Sequence, residues 1–242
     1  MPTVDRVLSQ MPEFSKKLER IERQIPSLEA AREKCRRKAV KEWSDAIIAV
    51  GSAYGFVVQG AYNRVVITAA HCLPQLPSSN LGRRAGETLY PTLLGPLGGE
   101  QTVAAACYFA DRISDIAALG SPNGIEAPEE FRQFLQVTDA ATPLSIVEPA
   151  LASLVWIPSP DRDWLSYVAR SAWGEQLLMI GIDEILVEMS GVPIVSDAGA
   201  AIGVFCPDPE RGFLGGAHLG LVGSLPRRLL RILSVSATSP AP

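Results

Sequence analysis

The chain contains only two histidines, and one of them, His71, stands in the string Thr68-Ala69-Ala70-His71-Cys72 directly after the apolar run Val65-Val66-Ile67. A strand ending in small residues can carry an imidazole to the edge of a sheet, where the ring is free to exchange a proton with a neighbouring hydroxyl. The other histidine, His218, lies among glycines. Asp115 opens a second apolar run, Asp115-Ile116-Ala117-Ala118-Leu119. A carboxylate there could hold one imidazole nitrogen, fix the tautomer and stabilise the imidazolium. It could equally be a strand-terminal cap, and Asp111 is a rival four residues away. Ser190 sits in Met189-Ser190-Gly191-Val192-Pro193, a tight turn leading into the apolar Ile194-Val195. Such a turn can present a hydroxyl and aim backbone N–H groups at the same point, the arrangement that stabilises an oxyanion. Ser-Gly-x-Pro also occurs in ordinary turns, so the three residues carry more together than apart.

The elements that must position them change character along the chain. Residues 12–43 are dense in Glu, Lys and Arg, with Phe14, Leu18, Ile21 and Ile25 on one helical stripe that ends before Pro26. A second helical stretch is expected from Ser27 to about Trp43, carrying Arg36, Arg37, Lys38 and Lys41 near its end. That basic cluster either complements the helix macrodipole or offers a docking surface to an acidic protein partner. Beyond residue 46, short runs rich in Val, Ile and Ala alternate with Gly, Pro, Ser and Asn, the pattern of strands and turns. Expected strands are 47–50, 55–58, 65–68, 102–109, 116–119, 144–147, 153–157, 177–182, 193–195 and 201–205, with a closing helix over 225–233. The division is a helical extension over 1–45, a domain over 46–233 and a loose tail over 234–242.

With 242 residues, 47% hydrophobic and 20% charged, the chain is long enough for one large all-β domain with a real core. A net charge of −4 gives no general attraction for nucleic acid. No apolar run approaches the roughly 20 residues needed to span a bilayer, and the first 30 residues are charged rather than apolar. Neither a membrane partner nor an export signal is expected. Cys35, Cys72, Cys107 and Cys206 are widely spaced, with no CxxC pair, and read as reduced thiols of a cytoplasmic protein.

Taken in order, the three motifs resemble the trypsin/chymotrypsin-like serine peptidase family over roughly residues 46–233. The Thr-Ala-Ala-His-Cys string around His71 is the family's, Asp-Ile-Ala-x-Leu carries its acid at Asp115, and Ser-Gly-x-Pro carries its nucleophile at Ser190. The His, Asp, Ser order is also the family's. The resemblance implies an all-β fold of two six-stranded antiparallel barrels behind the N-terminal helical extension. It implies a serine endopeptidase acting on a protein or peptide substrate through an acyl-enzyme, with no metal or organic cofactor. Backbone N–H groups of Ser190 and Glu188 would form the oxyanion hole, and the stretch from Phe205 through Cys206 to about Asp208 would line the substrate cleft. Glu184 could sit near the primary specificity pocket or be a solvated loop residue.

The sequence departs from the family at several points. Glu188 stands where the family has glycine, and forcing a Cβ-bearing residue into glycine's backbone region costs about 1–3 kcal/mol. A slow enzyme, or a protease-like binding module activated by a partner, is therefore the alternative to an active endopeptidase. Met189 replaces the aspartate that receives a new N-terminus in zymogens, so activation by N-terminal cleavage is not expected. Cys72 has no cysteine in Gly55-Phe56-Val57-Val58 to pair with, although the family places its disulfide partner there.

Overall fold

The alternating aliphatic runs form strands, as their patterning requires. The computed structural model describes residues 30, 33, 34, 37, 41, 43–60, 63–73, 89–93, 102–111, 115–148, 152–159, 163–171, 176–180, 189–206 and 221–224. The chain divides into two compact units, residues 1–40 and 41–242. In the first, Ala30, Glu33, Lys34 and Arg37 are helical, and Arg37 Nε meets Glu33 Oε1 one turn away at 3.1 Å. The expected stripe from Phe14 to Ile25 lies outside the described residues.

The second unit holds two antiparallel sheets and the α-helix Pro128–Ala140, and Lys41, Trp43 and Ser44 ahead of the first sheet are also helical. The first sheet comprises β1 (Ile47–Val50), β2 (Ala53–Gln59), β3 (Arg64–Ala69), β4 (Leu89–Leu93), β5 (Thr102–Asp111) and β6 (Ile116–Gly120). Their order is β1-β2-β3-β6-β5-β4. The second sheet comprises β7 (Ala152–Pro158), β8 (Trp164–Ser171), β9 (Gln176–Ile180), β10 (Pro193–Ser196), β11 (Ala201–Val204) and β12 (Leu221–Ser224). Its strands pair in the order β10-β11-β12-β9-β8-β7, and Val195 and Ser196 of β10 pair in turn with Trp156 and Val155 of β7. Each sheet thus has six strands, the number expected.

Each sheet has its own core. In the first, Ile48, Val57, Val66, Val103, Ala117 and Leu119 are buried together with Phe134 and Val137 of α1 (Pro128–Ala140), which packs across the sheet. In the second, Val155, Ile157, Ala169, Val192, Ile194, Ile202 and Phe205 form the buried cluster, joined by Met189 from the turn before β10. Burying a side chain of this size contributes about 1.5–3 kcal/mol, so each cluster can hold its sheet together.

Several expectations need correction. Residues 144–147 form no strand. They connect the sheets through two single parallel bridges, Val58 with Leu144 on one side and Ile146 with Ala201 on the other. Strands β4, β8 and β12 and helix α1 were not anticipated. The helix begins with Pro128 at its first turn and Glu129 and Glu130 beside it, features that favour a helix start. The residues just ahead of β1 are stitched into the second unit. The Trp43 ring meets Trp164 of β8 edge to face at 5.2 Å, worth about 0.5–1.5 kcal/mol beyond area burial, and Trp164 Nε1 donates to Ser44 Oγ. The closing helix over 225–233 lies outside the described residues.

Candidate active site

Strand β3 leads to His71: Arg64–Ala69 runs into a short 3-10 turn over Ala70–Cys72 that contains it. Beside it, β6 pairs with β3 so that Ala69 faces Ile116, which brings Asp115, the residue before β6, level with the histidine. The Ala70 N–H donates to the Asp115 carbonyl at 3.0 Å. The Asp115 side chain then grips His71 at two points. Its Oδ1 accepts the His71 backbone N–H at 2.9 Å, and its Oδ2 meets ring Nδ1 at 2.5 Å.

This double contact depends on an unusual backbone. Asp115 has φ +54°, and it is the one non-glycine residue with positive φ among those described. The left-handed region costs an L-residue roughly 1–2 kcal/mol, least for Asp and Asn, whose short side chains hydrogen-bond locally. The rival Asp111 lies at the end of β5, opposite Ile116, and Asp115 is the residue on the imidazole. The Asp115 side chain is 31% exposed and that of His71 46% exposed.

The Asp115 carboxylate holds the imidazolium form, and Cys72 adds to it, so His71 is pushed from its ordinary 6.5 up to about 10 against the opposing effect of partial burial. A group raised in this way stabilises the folded state in full below pH 6.5 and loses that contribution as pH climbs through 10. Cys107, partly buried against the first core, is raised to about 11 by desolvation and is a poor nucleophile at neutral pH. Cys72, Cys107 and Cys206 are free thiols; Cys35 lies outside the described residues.

Ser190 contacts the first sheet from the second. It stands in the Met189–Gly191 turn ahead of β10, and its carbonyl accepts the N–H of Tyr54, on β2 of the first sheet, at 3.0 Å. Gly191 follows with φ +88° and donates its N–H to the Phe205 carbonyl at 2.8 Å, while the Phe205 N–H donates to Val192 at 2.9 Å. The turn that carries the nucleophile candidate is thus tied to β2 of the first sheet and to Phe205, the residue after β11 of the second. Ser190 is only 3% exposed, whereas the sequence suggested a hydroxyl lifted clear of the sheet.

Phe205 and Cys206, expected to line a cleft, are 1% and 7% exposed. Phe205 belongs to the second core. Cys206 donates from Sγ to the Asp115 carbonyl at 3.3 Å, a link between the two sheets that nothing in the sequence signalled. Glu184 and Glu188 lie outside the described residues. Among the described residues no group of three or more His, Cys, Asp or Glu side chains is placed to hold a metal ion, and no helix is long and apolar enough to cross a membrane.

No protein-family model and no curated protein matches the chain. Solved structures resemble it at low identity. One, from work on the folding and binding of the disordered Sesbania mosaic virus VPg protein, is 14% identical with a TM-score of 0.49, covering 81% of this chain and 92% of its own. Another, the inactive form of the Rv3671c protease, is 17% identical with a TM-score of 0.48, covering 81% and 91%. An inactive serine-to-alanine variant of the same protease from M. tuberculosis H37Rv is 16% identical with a TM-score of 0.47, covering 84% and 93%.

Proposed function

We propose that this chain is a serine endopeptidase of the trypsin-like kind, with two barrel-like halves and a triad of His71, Asp115 and Ser190. The observation that carries the reading is the grip of Asp115 on both the backbone and Nδ1 of His71. With Nδ1 committed to the carboxylate, Nε2 is left as the proton-accepting nitrogen, the tautomer a general base needs.

In the reaction, Ser190 Oγ attacks the scissile carbonyl carbon as its proton passes to His71 Nε2. The resulting oxyanion is held by backbone N–H groups, assigned to Ser190 and Glu188. The C–N bond then breaks, and the proton on Nε2 goes to the leaving amine. Water hydrolyses the ester, giving one proton to His71 and from there back to Ser190 Oγ. Protein or peptide is the substrate class, and Glu184 is the candidate for a preference towards basic side chains. The N-terminal helical extension would be a docking element for a protein partner, and the cytoplasm the compartment.

The burial of Ser190 favours a second reading, a protease-like binding module whose serine becomes reachable only when a partner reshapes the adjoining loop. A fluorophosphonate probe separates the two without a known substrate. The purified chain should react with it at one residue, and peptide mapping should place the adduct on Ser190. An adduct at another serine, or none, would remove the peptidase reading.

The pH dependence of that labelling follows from the histidine. Only neutral imidazole can accept the Ser190 proton, and Asp115 raises the pH at which His71 becomes neutral. The rate should therefore climb with pH along a limb displaced above 6.5 towards 10, with slow reaction at pH 6. A limb centred at or below 6.5 would show that His71 is not the base or that Asp115 does not hold it.

A further inference from the structure

Strand β3 is Arg64-Val65-Val66-Ile67-Thr68-Ala69, and every residue between Arg64 and Ala69 except Thr68 is a branched aliphatic. Thr68 is fully buried, at 0% exposed. A valine would fill that space without bringing a hydroxyl that must find a partner. The partner is specific: Thr68 Oγ1 donates to the Tyr54 carbonyl at 2.6 Å, although Thr68 is paired with Gly55 in the sheet register. The same residue Tyr54 uses its N–H to hold the Ser190 carbonyl at 3.0 Å.

The turn sits directly on this pair. A Cβ built on Gly191 would lie 1.9 Å from the Tyr54 carbonyl oxygen and 2.7 Å from Thr68 Oγ1. Thr68 therefore touches the Ser190–Gly191 turn on one side and lies three residues before His71 on the other.

We infer that Thr68 is a positioning residue: its hydroxyl fixes the Tyr54 peptide, and that peptide seats the Ser190–Gly191 turn at the height of His71. The inference rests on the peptidase reading for its kinetic consequence, while the seating itself is a structural claim that stands apart from activity. A misplacement of about 1 Å at a reacting centre costs on the order of 10²-fold in rate, and loss of one seating hydrogen bond from a buried platform should fall at or below that figure.

The test compares the full chain with Thr68→Val, Thr68→Ala and Thr68→Ser in saturation labelling by a fluorophosphonate, alongside backbone amide exchange at Tyr54. In Thr68→Val and Thr68→Ala the maximal labelling rate should fall by about tenfold to 10²-fold with the half-saturating probe concentration within about twofold of the parent. Thr68→Ser, which keeps the hydroxyl and loses only the methyl, should stay within about threefold of the parent. The Tyr54 amide should exchange faster in Thr68→Val and at the parent rate in Thr68→Ser.

A Thr68→Val protein that labels at the parent rate overturns the inference. So does a Thr68→Ser protein that falls as far as the valine variant, because methyl packing would then be the cause. If Thr68→Val does not fold, the serine and alanine variants decide on the same criterion. If the parent chain is not labelled at all, the peptidase reading falls, and Tyr54 exchange still decides the seating: protection lost in Thr68→Val and kept in Thr68→Ser supports it, protection kept in both overturns it.

Discussion

Gly191→Ala is expected to reduce Ser190 labelling by at least about 10²-fold in a protein that still folds. Two independent costs converge at this position. The backbone lies at φ +88°, a region that a residue with a Cβ occupies at about 1–3 kcal/mol. The added methyl would also fall 1.9 Å from the Tyr54 carbonyl oxygen, inside the 3.0 Å that real Cβ atoms keep. Neither β2 nor the turn can absorb a displacement of about 1 Å for free, because the Tyr54 N–H holds Ser190 and the Gly191 N–H holds Phe205. The lower-energy response is for the turn to lift from β2, which in the proposed triad would draw Ser190 Oγ off the imidazole and disturb the backbone N–H groups assigned to the oxyanion. Losing one oxyanion donor alone costs about 10²–10³ in rate. The two cores should survive, since the turn contributes Met189 to one of them and nothing described to the other. At about 2–4 °C per kcal/mol for a chain of this size, the melting temperature should drop by roughly 2–12 °C. Labelling at the parent rate with an unchanged melting temperature would mean that the turn does not rest on Tyr54.

The candidate residues could be singled out in the sequence because each stands at a change of local pattern. His71 follows an aliphatic strand, Asp115 opens one, and Ser190 precedes a Gly-x-Pro turn into a third. What joins them was not legible, because it is made by backbone groups and by residues with no signature of their own. Tyr54 acts through its peptide, which any residue type would supply. Thr68 looks like one more β-branched residue in a β-branched run. Cys206 reaches the Asp115 carbonyl from 91 positions away in the chain, and the left-handed conformation of Asp115 leaves no trace in residue type because Asp is common in turns of every kind. The missed strand β8 has a physical reason too. Its outward face is not polar: Trp164 is buried against Trp43 and Val168 is 43% exposed, so the in-out alternation that marks a half-buried strand is blurred. Residues 144–147 failed in the opposite sense, since an apolar stretch that bridges two sheets at single residues has the composition of a strand without its pairing.

Asp115→Asn should lower the labelling rate by about 10⁴-fold while leaving the fold and the half-saturating probe concentration nearly unchanged. Asparagine is the informative replacement because it shares aspartate's tolerance of the left-handed region, so φ +54° adds no new strain, whereas alanine would confuse strain with chemistry. The side-chain amide oxygen can still accept the His71 backbone N–H in the place of Oδ1, which leaves an NH₂ group facing Nδ1 in the place of Oδ2. A donor facing Nδ1 forces that nitrogen to become the acceptor and moves the ring proton to Nε2, the atom that must be bare to take the Ser190 proton. The wrong tautomer is worth about 10⁴ in turnover where this arrangement operates. Removing the carboxylate also removes the first cause of the raised His71 value, so whatever rate remains should rise along a limb displaced from the neighbourhood of 10 back towards 6.5. The two readouts together separate a catalytic carboxylate from a merely structural one. A residue that only capped β6 would change the melting temperature and move neither the rate at fixed folding nor the pH of the limb. Loss of less than about tenfold, with the limb unmoved, would assign Asp115 that structural role.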